Sequence, residues 1–150
     1  SDCIIETDLE ILIPSEYVNE IEERIQLYKA LDELETEEEL LTFEKNLLDR
    51  FGAHPPQLLE LFDSIRLRWL ARKLGFEKVL LKSEKLIAYY ISKQDSPYYQ
   101  SEQFSQMLRF VQSNKKGIKM YEKNNSLRLS VEHINSVSKA ISFLKSIESY

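Results

Sequence analysis

The sequence predicts an α+β fold, in which an N-terminal strand and a three-helix segment pack with two ββα units that form an antiparallel sheet. Between Ser15 and Gly75, apolar residues recur every three or four positions, as they do in amphipathic helices. After Gly75 the spacing changes to the alternation typical of strands, and two strand pairs are each followed by a helical pattern. We predict one domain over residues 1–150, with a mainly helical subregion at 1–75 and a ββαββα subregion at 76–150.

The first two predicted elements are a strand and a helix separated by a proline. The strand covers Ile4 to Ile13, where β-branched residues alternate with polar ones. Pro14 ends it, and Ser15 is the predicted N-cap of a helix that begins near Glu16. The predicted buried face of this helix is one apolar stripe at three- and four-residue spacing, formed by Val18, Ile21, Ile25, Tyr28 and Leu31.

The second and third helices have clear start and stop signals. Thr36 and Glu39 match a capping box, in which each side chain accepts a hydrogen bond from the other residue's backbone. Gly52 suits the left-handed position that ends a helix, and the pair Pro55–Pro56 suits the first turn of the next helix. The predicted core residues are Leu40, Phe43, Leu47 and Phe51 in the second helix and Leu58, Leu61, Phe62, Ile65 and Trp69 in the third.

The two ββα units begin after Gly75 and Gly117. In each unit a short polar segment is predicted to turn the chain between two strands, namely Lys82–Lys85 in the first and Asn124–Asn125 in the second. A helix then follows each strand pair. The predicted core residues of these helices are Phe104, Met107, Leu108 and Val111 in the first unit and Ile134, Val137, Ile141, Leu144 and Ile147 in the second.

Charge is distributed unevenly along the chain. The first 50 residues contain 16 acidic and 4 basic side chains, whereas the remaining 100 contain 9 acidic and 16 basic ones. Such asymmetry fits a protein or nucleic-acid partner, or neutralisation within the molecule, and we favour neutralisation. Cys3 is the only cysteine, which fits a reducing cytosol, and no apolar run reaches the roughly 18 residues of a membrane span. The start at Ser1, without a methionine or a signal peptide, suggests a piece of a longer cytoplasmic protein.

No residue pattern predicts a catalytic, cofactor-binding or metal-binding site. His54 and His133 are the only histidines, and neither has zinc-ligand spacing to a cysteine. Because His54 adjoins Pro55, we expect it to line a turn rather than to act in acid–base chemistry. The three glycines lie at element boundaries and form no phosphate-binding loop. The acids at 22–23 and 37–39 belong to solvated helix faces or first turns.

Tyrosines and lysines of the second half leave a nucleic-acid-binding function open as an alternative. Sheet surfaces that bind single strands combine basic side chains with stacking aromatic ones. These tyrosines nevertheless alternate as core residues do, and no RNP-type motif occurs, so packing is the favoured role. The residues concerned are Tyr89, Tyr90, Tyr98, Tyr99 and Tyr121, with Lys85, Lys93, Lys115, Lys116 and Lys119.

One group of three polar residues near the end of the second helix is expected to be exposed. Asn46, Asp49 and Arg50 stand at positions i, i+3 and i+4, so they share one helical face. The helical step places this face nearly opposite the apolar stripe that contains Leu40 and Leu47. A polar face at that place serves either solubility or a partner.

Several short motifs occur in a fixed order between Leu12 and Lys78. They are LIPxxYV, ERxxLYKxL, TExEL, LLDRFGxxP and LxxLAxKLGxxK. In this order and spacing, the segment from Ile11 to Leu81 resembles the C-terminal domain of bacterial transcription-repair coupling factors (TRCF, Mfd). The resemblance covers about half of the chain.

The resemblance implies a regulatory role without catalysis. The parent of such a domain is a cytosolic ATP-dependent DNA translocase that displaces stalled RNA polymerase and recruits nucleotide excision repair. Its motor domains bind ATP and Mg²⁺ outside this segment. The C-terminal domain is expected to dock on the N-terminal repair-factor-binding domain, hiding it from the damage-sensor ATPase. The family's docking motif is an acid followed three positions later by Asp-Arg, which Asp49 and Arg50 match, whereas Asn46 replaces the acid.

Overall fold

The computed structural model describes residues 3–113 and 116–150, which form two compact units. The helical unit is Glu10–Arg66, and the sheet unit combines Ser1–Leu9 with Leu67–Tyr150. The N-terminal strand and the end of the third helix thus group with the sheet, although the sequence places them in the helical subregion. The single domain over the whole chain stays a prediction. None of the described helices is long and apolar enough to cross a membrane.

Three helices begin in the helical unit: α1 (Ile21–Glu33), α2 (Glu37–Phe51) and α3 (Pro56–Lys73). The predicted capping box of α2 is confirmed, because the Glu39 N–H donates to Thr36 Oγ1 at 3.1 Å and the Thr36 N–H donates to the Glu39 carboxylate at 3.0 Å. Gly52 caps the end of α2 with φ of +90°, as predicted. These local signals therefore fix where α2 begins and ends.

The predicted boundaries around Pro14 are wrong. The strand β1 is only Ile4–Thr7, and α1 begins at Ile21 rather than near Glu16. Between them, the N–H groups of Tyr17 and Val18 both donate to the Pro14 carbonyl, at 3.0 and 3.1 Å, which forms one turn that does not continue as a helix. Ser15 therefore caps no helix, and its hydroxyl donates to the neighbouring Glu16 carboxylate at 3.1 Å.

The predicted buried stripe of the first helix is confirmed at Val18, which precedes α1, and at Leu31, and it is wrong at its other three positions. Leu27 and Leu31 are the buried residues of this helix, whereas Ile21, Ile25 and Tyr28 are 64%, 45% and 38% exposed. Leu27 lies one step away from the predicted stripe, so the helix is turned about its axis relative to the prediction. Apolar residues occur on more than one face of α1, and packing alone decides which face is buried.

The sheet unit contains one five-stranded sheet in the order β1-β2-β3-β5-β4, with β2 (Phe76–Lys82), β3 (Lys85–Tyr90), β4 (Ile118–Lys123) and β5 (Ser126–Glu132). The predicted antiparallel arrangement is confirmed for β2 to β5. The strand β1 adds to β2 in parallel, which requires the long crossover that the intervening helices provide. Both hairpins turn through two residues with positive φ, Ser83–Glu84 and Asn124–Asn125, as type I′ turns do.

One face of this sheet is buried and the other is open. On the buried face, Tyr90 packs edge-to-face on Phe104 of α4 (Glu102–Ser113), with ring centroids 6.1 Å apart. Phe110 of α4 contacts Phe143 of α5 (Val137–Glu148). Most predicted core residues of α4 and α5 are buried or half-buried, but two differ: Leu108 is exposed, and Ile134 precedes α5. The residues buried on this face of the sheet are Val79, Leu81, Leu86, Ala88, Tyr90 and Leu129.

Candidate functional site

The three residues singled out by the sequence lie on the second half of α2 and are all exposed. The Asp49 carboxylate makes no hydrogen bond or ion pair with any residue that the structure describes. Arg50 is paired: its Nη2 atom lies 2.5 Å from Glu23 Oε2 of α1, and its guanidinium stands 4.7 Å from the centre of the Phe51 ring. Arg50 therefore lies at the border of the buried stripe, not nearly opposite it as predicted, while Asp49 faces solvent.

The corner after α2 is fixed by Tyr17, which belongs to the LIPxxYV motif. Its hydroxyl lies 2.7 Å from the Gly52 carbonyl oxygen and 3.1 Å from that of Leu47, so its one proton is shared between two carbonyls near the helix end, and the Gly52 carbonyl is the nearer acceptor. Its ring packs on Phe51 with centroids 5.6 Å apart. Burial raises the pKa of Tyr17, which keeps the hydroxyl protonated as a donor. The position of Asp49 and Arg50 is thereby set by a residue far away in sequence.

His54 stabilises the same corner from the other side. Its Nε2 atom donates to the Glu44 carbonyl oxygen at 2.8 Å, and its ring packs edge-to-face on Phe62 with centroids 5.1 Å apart. The first of these contacts is to α2 and the second is to α3. The placement of His54 in a turn is confirmed, and the absence of a catalytic role stays a prediction.

Asn46 borders a shallow groove of about 360 Å³. The floor is apolar and the rim is acidic, because the lining residues are Leu34, Glu38, Glu39, Thr42, Phe43 and Asn46. Hydrogen bonds from the backbone N–H groups of Glu35 and Thr36 lower the pKa of Glu39, so this carboxylate stays charged. We call Asn46, Asp49, Arg50 and this groove the α2 surface. Since Arg50 is neutralised by Glu23, the α2 surface presents net negative charge.

Two contributors to the α2 surface were missed by sequence reasoning. Glu23 pairs with Arg50 across 27 positions, and Leu34 lies beside Asn46 only because α1 and α2 meet there. Glu23 does belong to the ERxxLYKxL motif, which is the one signal that singles it out. No local pattern indicates which arginine it contacts.

The tyrosines of the second half divide into two groups. Tyr90 and Tyr98 are buried, and burial raises the pKa of both, so the predicted packing role is confirmed for them. The half-buried Tyr99 donates its hydroxyl to the Ile91 carbonyl oxygen. Only Tyr89 and Tyr121 lie on the open face of the sheet. Among the lysines of the same prediction, Lys115 lies outside the described residues.

Comparison with known proteins identifies the family. The TRCF domain family matches residues 7–101, which is more than half of the chain and includes α1, α2, α3 and the first hairpin. The chain belongs to the TRCF domain family. A transcription-repair-coupling factor of Staphylococcus epidermidis is 26% identical over 136 residues, which cover 91% of this chain. The transcription-repair-coupling factor of Escherichia coli K12 is 35% identical over 75 residues, or 50% of this chain.

The fold agrees with a solved structure of the same kind of domain. The crystal structure of a C-terminal domain of transcription-repair coupling factor matches with a TM-score of 0.73 and 14% identity, covering 99% of this chain and 94% of that one. The TRCF chain described here spans only 12% of the Staphylococcus epidermidis relative and 6% of the Escherichia coli relative. The family is thus shown for a small part of much longer proteins.

Proposed function

We propose that this TRCF domain is an autoinhibitory docking module whose α2 surface binds the N-terminal repair-factor-binding domain of the same parent chain. The observation that carries the proposal is Asp49, whose side chain is exposed and has no hydrogen-bond or ion-pair partner among the described residues. It stands beside Arg50 at the position where the family resemblance places the docking contact. The corner that holds both residues is built by Tyr17 and His54, whose contacts give Asp49 no part in the core.

The wider role proposed for the parent follows from the family. The parent would be an ATP-dependent DNA translocase of the cytoplasm that displaces stalled RNA polymerase and recruits excision repair through the damage-sensor ATPase. ATP and Mg²⁺ would bind its motor domains, which lie outside this chain. In this proposal the domain itself performs no catalysis and binds no cofactor, and its docking keeps the repair-factor-binding domain hidden until the parent is engaged.

The charges of the α2 surface suit a reversible contact. Its acidic rim and Asp49 favour a partner surface with basic side chains, and interdomain contacts of this polar kind release readily. Arg50 is tied to Glu23 by a pair exposed on both sides. Such exposed pairs contribute only about 0–1 kcal/mol, so Arg50 can exchange Glu23 for a carboxylate of the partner at little cost.

Charge reversal on the α2 surface is expected to abolish docking. We expect Asp49→Arg and Arg50→Glu each to weaken binding of this chain to the repair-factor-binding domain by about tenfold or more, because each replaces a favourable contact with repulsion. Calorimetric titration of the two purified domains measures this. Exposed residues of the sheet unit provide matched controls, Asp95→Arg and Lys139→Glu, which are expected to leave the affinity unchanged. Equal affinity of the α2-surface variants and the unmodified chain would contradict the proposal.

Restoring an acid at position 46 is expected to strengthen docking. Asn46→Glu adds a carboxylate where the family's motif has one, and a charge-assisted contact is stronger than a neutral one. The new carboxylate stands four positions before Arg50, a spacing at which the two side chains also attract each other. We expect a several-fold gain in affinity in the same titration, and Asn46→Gln as the uncharged control is expected to give none. Weaker binding of Asn46→Glu would show that the partner's surface opposite this position is not basic.

A further inference from the structure

The open face of the sheet carries a row of aromatic and basic side chains. The strand register pairs Lys78 with Tyr89, Tyr89 with Arg128, and Arg128 with Tyr121, so four adjacent strands contribute one residue each. Side chains of neighbouring positions point to opposite faces, and Ala88 next to Tyr89 belongs to the buried face. We call these four residues the Tyr89 row. They lie away from the helices α4 and α5.

Cations on both sides hold the ring of Tyr89. The Lys78 Nζ atom lies 5.1 Å from the ring centre, and the Arg128 guanidinium carbon lies 4.6 Å from it. Both distances are within the range of cation–π attraction. Lys78 also pairs with Glu6 of β1 at 3.3 Å. The centre of the row is therefore ordered without any ligand.

Arg128 has hydrogen-bonding capacity that the described residues do not use. Its Nε atom is buried and has no acceptor among them, and its Nη2 atom donates only to the Lys123 carbonyl oxygen at 3.4 Å. A ligand cannot reach the buried Nε atom, but the terminal N–H groups of the guanidinium that the described residues leave unused can donate to anionic oxygens. Arg128 is thus suited to bind the oxygens of an anionic ligand.

The whole open face is positively charged. Its strands carry six basic and two acidic side chains on this side, by the register: Lys78, Lys82, Lys85, Lys119, Lys123 and Arg128, against Glu6 and Glu132. The two acids pair with Lys78 and Lys85. Among the described residues no carboxylate pairs with the other four cations. A flat surface with this excess of positive charge is complementary to a polyanion.

We propose that the open face binds single-stranded nucleic acid, with phosphates on Arg128 and Lys119 and a base stacked on Tyr121. Residues directly opposite on paired strands have Cβ atoms about 5 Å apart, so Arg128 and Tyr121 can reach the phosphate and the base of one nucleotide. The ring of Tyr121 makes no aromatic or cation–π contact with the described residues, unlike that of Tyr89. A duplex hides its bases from such a sheet, and an acidic peptide offers no base to stack. This site is distinct from the α2 surface and does not depend on the docking proposal.

The proposal is tested by fluorescence anisotropy with a short labelled oligothymidylate at low salt. We expect the 150-residue chain to bind it, and the double variant Lys119→Gln/Arg128→Gln to bind about tenfold more weakly or worse. The slope of log K against log salt is negative, and each lost phosphate contact should make it less steep by about 0.7. Tyr121→Leu should weaken binding several-fold without changing that slope, because stacking releases no counterions. Lys119→Gln alone, at an exposed position, reports on the site if the double variant fails to fold.

Matched controls separate this site from general electrostatics. Lys139→Gln/Lys145→Gln removes the same charge from exposed positions of α5 and is expected to change the affinity less than twofold. Equal losses in both double variants would overturn the proposal, as would failure of the unmodified chain to bind. A duplex of the same length and a polyglutamate peptide are the competing ligands. If either binds as tightly as the oligothymidylate, the face recognises anions in general and the assignment to single strands is wrong.

Discussion

Gly75→Ala is expected to destabilise the sheet unit by about 2–4 kcal/mol. Gly75 has φ of +99°, and a Cβ atom there would lie 2.3 Å from two ring carbons of Tyr98. The ring cannot move aside freely, because its hydroxyl donates to the Leu74 carbonyl at 2.8 Å and its edge packs on Phe104. The left-handed backbone costs a non-glycine residue about 1 kcal/mol, and forcing an extra methyl group against a buried aromatic ring adds about 1–3 kcal/mol.

Urea unfolding followed by tryptophan fluorescence measures this loss, because Trp69 is the only tryptophan and belongs to the sheet unit. Gly117→Ala is the matched control. Gly117 also has positive φ, +77°, but no described atom lies within 4 Å of an added Cβ. We expect it to lose only about 1 kcal/mol, from the backbone alone. Equal losses in the two variants would mean that contact with Tyr98 is not what requires glycine at position 75.

Arg66→Met is expected to destabilise the helical unit by about 2–3 kcal/mol at neutral pH. The Arg66 guanidinium binds three carboxylates at once: two bonds of 2.8 Å go to Glu37, one of 2.7 Å to Glu44 and one of 2.9 Å to Asp63. It thereby joins α2 to α3. Removing it leaves three acids close together without a cation, of which Glu44 is mostly buried. Because Arg66 is itself 28% exposed, solvent screening keeps the loss below that of a fully buried network.

The pH dependence distinguishes this network from simple packing. The hydrogen bond to Arg66 lowers the pKa of Glu37 from its usual 4.5. A carboxylate with a lowered folded-state pKa stabilises the fold above its unfolded pKa, and this contribution is lost as pH falls through the folded value. The unmodified chain should therefore lose stability below about pH 4.5. In Arg66→Met, protonation of the three carboxylates instead relieves their repulsion. The difference in unfolding free energy between the variant and the unmodified chain should therefore become smaller in acid.

Urea unfolding followed by far-UV circular dichroism, at neutral pH and near pH 4, measures both effects on the helices. The matched control within the same unit is Arg50→Met, which removes one exposed ion pair to Glu23. We expect it to lose no more than about 1 kcal/mol at either pH. If Arg66→Met lowers the free energy of unfolding no more than Arg50→Met does, the network does not join the two helices. The same control also shows whether the chain stays folded when Arg50 is replaced, as it is in the docking variant Arg50→Glu.

The ends of helices and the positions of turns were predictable from the sequence where the signal is local. The capping box of Thr36 and Glu39, the two-residue turns at 83–84 and 124–125, and Gly52 at the end of α2 each depend on neighbouring residues. Backbone hydrogen bonds and φ angles decide such features over a few positions, so the sequence contains the whole signal. The boundaries near Pro14 were not predictable in this way, because a single turn there ends without becoming a helix.

The candidate sites were predictable only in part. Asp49 was found correctly as an exposed residue, since helical spacing separates it from the apolar stripe. The partner of Arg50 was not, because Glu23 lies 27 positions away on another helix. The predicted group of tyrosines mixed buried and open positions. The two-residue turn at 124–125 sets Tyr121 opposite Arg128, but the packing of distant segments decides that this pair lies on the open face while Tyr90 faces the core.

The α+β class, the order of the elements, the caps and turns, and the family follow from the sequence alone, since each depends on residues near one another or in fixed order. Only the tertiary structure decided which face of α1 is buried, that β1 joins the sheet in parallel, and which charges meet. The physical reason is that periodicity and capping act within a few residues. Burial, the pairing of strands distant in sequence, and ion pairing are instead settled by which distant segments exclude water together.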